Sequence, residues 1–417
     1  MPRERFREIR NNLKVVNDLT VPETRKDEDK LWKVRPFLDS VKGGCYKMCR
    51  RTQLSIDEQM VPFTGHSNIK QHVPGKPNPV GLKNFVLADP SELVLDFEIY
   101  QGKGTLLGND PRLLVGEAAV LRLLHSVPPG TGIFTDRWFT TEKLLDIAGQ
   151  KGICVTGTIM KNRCPKIDLI PDKDLMKMPR GTTDSFVSKA SEDGTRVAVC
   201  ITKWLDSKPL LMMSSAFGDA PQDKCKRWSK EARVHLEVTR PQVVSKYNKF
   251  MGGVDMSDRM ISYYRNGYRT NKWTLRTIMH FTDLSTSNAW IQYRHDQLQV
   301  GKQRKDIMDF LNFKRTLGSG MISTVESDEG ENTEEEENSE VDGSEDEDEE
   351  YGAGEPGRKK IRPLTGKKFR KRKAEHMPEM VKSKNAKRCC REGCKGKEQV
   401  KCTTCKLFLC LTCERNC

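Results

Sequence analysis

Between residues 326 and 350 the chain carries 16 aspartates and glutamates and no lysine or arginine. A block so charged and so poor in apolar side chains cannot bury enough surface to offset the entropy of ordering it. The stretch that follows, 358–388, holds 14 Lys and Arg against two Glu and is no better placed to pack. Whatever folds must therefore lie before or after these charge runs. We expect a disordered linker over 319–388, acidic then basic, separating a main folded part at 1–318 from a small terminal part at 389–417. At ~100–200 residues per domain, 417 residues leave room for two to four domains.

The acidic block also masks how basic the rest is. The whole chain has 72 Lys and Arg against 58 Asp and Glu; outside the block the acidic count falls to 42. Such an excess suits polyanions, and nucleic acid comes first among them. Lys359-Lys360 and the cluster from Lys367 to Lys373 read as a nuclear import address or a nucleic-acid contact, so a nuclear location is expected. The plain alternative is a solvated charged linker. No run of ~18 apolar residues exists, so no membrane partner is expected. The opening MPRERFREIRNNL lacks the apolar stretch of a secretory signal.

Hydrophobic periodicity divides the main part further. Residues 1–53 read as helical. Strands are expected at 54–63, 81–89 and 93–101, with connections short enough for an antiparallel meander. A helix over 112–127, a strand at 132–136, a helix near 140–151 and a strand at 153–159 follow, an order that asks for parallel strands joined through helices. Together these suggest an α/β, RNase H-like catalytic core whose first part spans 54–163. Residues 197–205 and 209–215 look like a hairpin, so 164–240 reads as an inserted β subdomain. Helical segments at 241–262 and 272–298 complete the core and begin a flanking helical region placed at 263–318.

Four aspartates stand out. Asp57 sits in the middle of a strand, Ser55-Ile56-Asp57-Glu58-Gln59, where a carboxylate between apolar neighbours needs a partner such as a metal ion. The ordinary alternative is an edge-strand aspartate facing water, and strand position alone points that way. Asp136 ends the apolar strand GIFTD, at the end of an α/β strand where ligands gather. It can equally be the N-cap of the next helix, although Thr140 or Thr141 would cap better. Asp255 and Asp258 share one helical face, and Gly252-Gly253 just before them allows close approach of another backbone. Acidic residues at a helix start also simply complement its dipole. Taken together, the four make an all-oxygen donor set, which suits Mg²⁺ and two-metal phosphoryl transfer on a phosphodiester.

Ile56-Asp57-Glu58-Gln59, Lys76-Pro77 leading to Gly81-Leu82-Lys83, Asp136-Arg137-Trp138-Phe139-Thr140, Tyr247-Asn248 through Gly253-Val254-Asp255 to Asp258, and Asn271-Lys272-Trp273 resemble the piggyBac transposase family in order and spacing. The resemblance covers roughly residues 1–300 and the terminal cysteines. It implies a DDD triad of Asp57, Asp136 and Asp255 with Asp258 as accessory carboxylate, two catalytic Mg²⁺ ions, and cutting of transposon ends through hairpins with insertion at TTAA. It further implies a homodimer whose flanking helices, 1–53 and 263–318, bind DNA. The sequence departs from the family at two points. MPRERF resembles a point already inside the family's helical DNA-binding domain, so upstream helices are expected to be missing. Arg137 stands where many members have Asn.

Eight of the 14 cysteines crowd into the last 29 residues: Cys389, Cys390, Cys394, Cys402, Cys405, Cys410, Cys413 and Cys417. Two CxxC pairs among them signal zinc, and eight thiolates can hold one or two ions. Neighbouring lysines and arginines suit DNA phosphates; a knot that only folds the tail, or a chromatin-binding finger, remains open. All 7 His lie outside this segment, which tells against a RING-type ubiquitin ligase. By the family resemblance one site takes Cys389, Cys394, Cys410 and Cys413. The other takes Cys402, Cys405 and Cys417 plus a ligand beyond the end, or Cys390 instead.

Two functions follow. One is a metal-dependent DNA transposase or its competent descendant. The other is a domesticated nuclear protein that recognises DNA without moving it. A weaker third is an adaptor that uses the acidic block and zinc tail for protein contacts.

Overall fold

A computed structural model of the protein describes residues 2–102, 112–164, 167–229, 233–267 and 269–328, and beyond them only short strand segments. Three helices open the chain: α1 (Arg3–Asn12), α2 (Glu23–Glu28) and α3 (Arg35–Tyr46). Then come β1 (Gln53–Pro62), β2 (Lys70–His72), β3 (Val80–Ala88), β4 (Val94–Ile99), α4 (Val115–Leu123), β5 (Gly132–Thr135), α5 (Glu142–Gln150) and β6 (Cys154–Thr158). The next stretch holds α6 (Asp172–Leu175), β7 (Thr183–Ser188), β8 (Val199–Leu205), β9 (Pro209–Ser214), β10 (Asp223–Ser229) and β11 (Val234–Arg240). Four helices follow: α7 (Gln242–Phe250), α8 (Gly253–Tyr263), α9 (Trp273–Gln299) and α10 (Phe310–Asp328).

Among the described residues nine strands join one mixed sheet in the order β2-β3-β1-β5-β6-β9-β8-β7, with β4 on β3. The meander is antiparallel from β1 to β3 and from β3 to β4. β5 and β6 run parallel to β1, as strands joined through helices must. β1 therefore lies in the interior of the sheet, between β3 and β5.

Alternation along β1 and β3 assigns the two faces. Leu54, Ile56, Phe85 and Leu87 pack on α4 and α5 through Val120, Leu123, Leu144 and Leu145. Val61, Leu82, Val86 and Phe97 pack on α3, α8 and α9 through Leu38, Val254, Ile261, Phe281 and Leu284. The result is a mixed α/β core with helices on both sides of a large sheet.

The segment 164–240 divides. The hairpin read at 197–215 is β8 and β9, but it is not a body apart: β9 pairs antiparallel with β6 and extends the main sheet. Its last residues, Met212, Met213 and Ser214, are all buried, and Ser214 Oγ meets Thr156 Oγ1 at 2.7 Å across that join. Only β10 and β11 stand off as a two-stranded ribbon. It is tied by Val238 to a small cluster with Trp204 and Val243. Helix α10 likewise continues past the boundary drawn at 318. Residues 319–325, SGMISTV, carry no charge, so nothing stops the helix before the acidic block begins at Glu326.

The chain separates into two compact units, Met1–Glu334 and Glu335–Cys417. In the second unit short antiparallel pairs join Pro378–Met380 to Val400–Cys402, Lys387–Arg388 to Lys397–Glu398, and Leu411–Thr412 to Arg415–Asn416. Cys402 lies on one of these strands. Cys389, Cys390, Cys394, Cys405, Cys410, Cys413 and Cys417 lie outside the described residues. No helix of the described residues is long and apolar enough to cross a membrane.

One glycine sets how α8 meets the sheet. A Cβ on Gly253 would stand 2.5 Å from the Asp89 carbonyl oxygen and 2.9 Å from Ser55 Oγ, whereas one on Gly252 would meet nothing within 4 Å. The close approach anticipated for the Gly252-Gly253 pair thus belongs to Gly253 alone. Gly253→Ala should lower stability by about 1–3 kcal/mol, the usual cost of overpacking, while Gly252→Ala stays within about 0.5 kcal/mol. Urea unfolding of the two variants side by side checks this, and equal effects would contradict the packing described.

Candidate active site

The last register pair between β1 and β5 is Ile56 with Thr135. The next residues along are Asp57 and Asp136, so parallel pairing sets these two carboxylates side by side, one strand spacing of ~4.8 Å apart. β5 ends there and the chain turns away, while β1 continues. Asp57 and Glu58 follow one another on β1, on opposite faces by strand alternation, just past the last residue paired with β5. Ligand oxygens of Asp57, Glu58 and Asp136 all lie within 4.8 Å of one another.

Local hydrogen bonds hold this arrangement. Asp57 Oδ1 accepts from its neighbour's backbone, Glu58 N, at 2.7 Å. Asp136 Oδ1 accepts from Trp138 N at 2.8 Å, and its carbonyl takes the amides of Phe139 and Thr140. Asp136 is not a helix cap: that role falls to Thr141, whose side chain accepts from Leu144 N. Nor is Asp57 on an edge strand facing water. Both bland readings left open by the sequence are thereby removed.

Helix α8 supplies the other two carboxylates. Asp255 and Asp258 line one cleft together with Lys76, Arg259 and Arg265. Asp255 is not one of the three residues within 4.8 Å, but it belongs to the same field. Tyr247, on α7, sits among Asp136, Asp57 and Asp255; burial first and then these charges push its hydroxyl pKa upward.

Burial dominates the electrostatics. It drives the Asp57 carboxyl well above the ordinary carboxylate range, with Lys76 pulling the other way. Asp136 is raised by burial too, and Asp258 is pushed up to about 6, opposed by the Gln59 amide beside it. Two lysines offset the negative charge. Lys76 Nζ donates to the Glu58 carbonyl at 3.0 Å and lies 3.5 Å from its carboxylate. Lys83 stands 3.8 Å over the Trp138 ring, which stacks on Phe85, and feels Glu58 and Asp136. On the same face of β1 as Asp57, Gln59 Oε1 accepts from Asn84 and His280 Nε2. Burial holds the His280 imidazole down at about 3, so it is neutral and donates.

The donor set fits a divalent cation of the Mg²⁺ class. It is made of carboxylates only. Buried Glu58 Oε2 and Asp258 Oδ1 have no hydrogen-bond partner, and buried carboxylates without enough partners call for a cation. Asp57, Glu58 and Asp136 would hold it, with Asp255 and Asp258 in an adjoining cleft also lined by Lys76.

The sequence reading missed Glu58, Lys76, Lys83 and Tyr247 as site residues. Each stands inside a motif noted there. Strand alternation puts Glu58 on the opposite face of β1 from Asp57, so pattern alone does not group the two.

A pH test follows from Asp258. Its carboxyl titrates near 6 in the folded chain against 3.8 as the reference value. A raised acid pKa favours folding below about pH 4, and the benefit is lost as pH rises through 6. At pH 8 without metal the ionised group therefore opposes folding. Asp258→Asn should stabilise the metal-free protein at pH 8 by on the order of 2–3 kcal/mol, change it little at pH 4, and lose much of that advantage in Mg²⁺. Melting curves in EDTA and in Mg²⁺ measure this; destabilisation by Asp258→Asn in EDTA at pH 8 would contradict the account.

Known proteins match this arrangement. Residues 1–290 match the Transposase IS4 family, a DDE transposase family, which implies divalent-metal catalysis. The human PiggyBac transposable element-derived protein 3 is 32% identical over 329 residues, 78% of this chain and 52% of that protein. The human PiggyBac transposable element-derived protein 2 is 30% identical over 272 residues, covering 64% of this chain and 45% of that one. The chain spans about half the length of these curated relatives. A cryo-EM structure of a piggyBac transposase synaptic complex with hairpin DNA superposes with a TM-score of 0.62 at 23% identity, covering 76% of this chain and 62% of that one. That likeness establishes a shared fold. By its matched residues, its relatives and its sheet, the chain belongs to the Transposase IS4 family, in the piggyBac transposable element-derived group.

Proposed function

We propose that this chain is a metal-dependent DNA-cutting and strand-transfer core that acts at TTAA-type sites. The observation that carries this reading is the grouping of Asp57, Glu58 and Asp136 within 4.8 Å beside the end of β5, with Asp255 and Asp258 in the adjoining cleft that Lys76 also lines. The mixed sheet, with β1 antiparallel to β3 and parallel to β5, supports an RNase H-like core. When bound, Mg²⁺ supplies Lewis-acid stabilisation of an in-line displacement at phosphorus. Asp57, Asp136 and Asp255 would hold two such ions, with Glu58 joining them and Asp258 assisting. Lys76 keeps the cluster from over-repelling a phosphodiester, and Trp138 fixes Lys83 beside it. Water cuts first and frees a 3′-hydroxyl; this attacks the opposite strand, closing a hairpin and releasing the flanking DNA. A second water reopens the hairpin and frees the 3′-hydroxyl again, which then attacks the target.

The rest of the chain fits a nuclear DNA-binding homodimer. The flanking helices at 1–53 and 263–318 serve pairing and DNA contact. The basic clusters at 358–373 serve import. Cys389 to Cys417 hold one or two zinc ions on a DNA-contacting tail.

Purified full-length protein should nick TTAA-flanked transposon ends from its own genome in Mg²⁺. Asp57→Asn should lose more than the ~10–100-fold that an outer-shell change costs, while its salt-sensitive DNA binding persists. Absence of nicking by the wild type, with binding intact, moves the reading to a domesticated DNA-binding protein whose carboxylates are a remnant. Equal loss of binding and cutting in a folded Asp57→Asn would count against the assignment of Asp57.

A further inference from the structure

The cleft beside the carboxylates contains three cations, Lys76, Arg259 and Arg265, against two acids, Asp255 and Asp258. Two of the cations are committed. Lys76 is held by Glu58, and Arg259 Nε donates to the Tyr263 hydroxyl at 2.7 Å. Arg265 is not. Its Nε is shut off from solvent and has no hydrogen-bond partner, and among the described residues its guanidinium forms no ion pair. It is near enough to Asp258 to lower that carboxyl's pKa, yet the two do not pair.

A half-buried guanidinium with an unused donor edge is costly until an anion fills it. A further carboxylate is a poor candidate, since the cleft already holds two. The planar fork of Arg matches the non-bridging oxygens of a phosphate, which it grips with two parallel N–H bonds. A divalent ion on the carboxylates would leave the cleft clearly positive. We propose that Arg265 binds a backbone phosphate of the DNA strand, next to the phosphate that is cut, with Arg259 at the rim of the same subsite. This rests on the phosphodiester reading given above and assigns one contact within it.

The test uses the full chain, a short fluorescent duplex, and Ca²⁺ in place of Mg²⁺ to keep the strand whole. Affinity is measured over a range of salt. Each phosphate contact contributes about 0.9 to the slope of log affinity against log salt. Arg265→Gln should weaken binding and flatten the slope by about that amount. Arg265→Lys, which keeps the charge but not the fork, should restore the slope with only part of the affinity. A folded Arg265→Gln with unchanged slope and affinity, beside a salt-sensitive wild type, overturns this proposal alone. A wild type whose affinity ignores salt overturns the DNA reading and the subsite with it. Stabilisation of the wild type but not Arg265→Gln by inorganic phosphate, with an unchanged DNA slope, assigns the site to a small phosphate and overturns the DNA contact. Should Arg265→Gln fail to fold, Arg265→Lys decides: lower affinity at the same slope supports the subsite, unchanged affinity overturns it.

Discussion

The site depends on one register. Parallel pairing of β1 with β5 runs from Gln53 with Gly132 to Ile56 with Thr135 and then stops. Just past that stop, Asp57, Glu58 and Asp136 bring ligand oxygens within 4.8 Å of one another. A shift of one residue would flip every β1 side chain to the other face and bury Asp57 against α4 and α5. The hydrophobic alternation Leu54, Ile56 against Ser55, Asp57, Gln59 forbids that shift, because Leu54 and Ile56 are fully buried in the opposite layer. Core packing therefore positions the chemistry.

What the helices add is charge at a controlled distance. Gly253 brings α8 against Asp89 and Ser55, and the next turn carries Asp255 and Asp258 toward the sheet. Five carboxylates in one region repel each other, and two lysines do not balance them. Burial raises Asp57, Asp136 and Asp258 together for the same reason. A polar cluster of this kind is costly to fold without a partner for its charge.

Much of this was legible in the sequence, and the parts that were not had definite causes. The meander, the parallel strands, the hairpin at β8–β9 and the long helix α9 follow from periodicity and connection length. The short strand β2 and the ribbon β10–β11 did not, since Lys70–His72 and Asp223–Ser229 carry polar, half-exposed patterns without a clear apolar face. Whether β9 joins the main sheet is a long-range choice that local pattern does not encode. Asp57, Asp136, Asp255 and Asp258 stood out in the sequence by residue type and position in an element. Glu58 did not, because alternation puts it on the opposite face of β1 from Asp57, and where β5 ends beside β1 is not encoded in the local pattern.

The central claim is that the β1–β5 register builds a divalent-metal site. Titration of the purified protein with Mn²⁺, followed by the electron-spin-resonance signal of the free ion, tests it most directly. The account predicts saturable binding by the wild type and affinity at least about tenfold weaker in both Asp57→Asn and Asp136→Asn. No saturable binding by the folded wild type, or equal affinity in all three proteins, would contradict it.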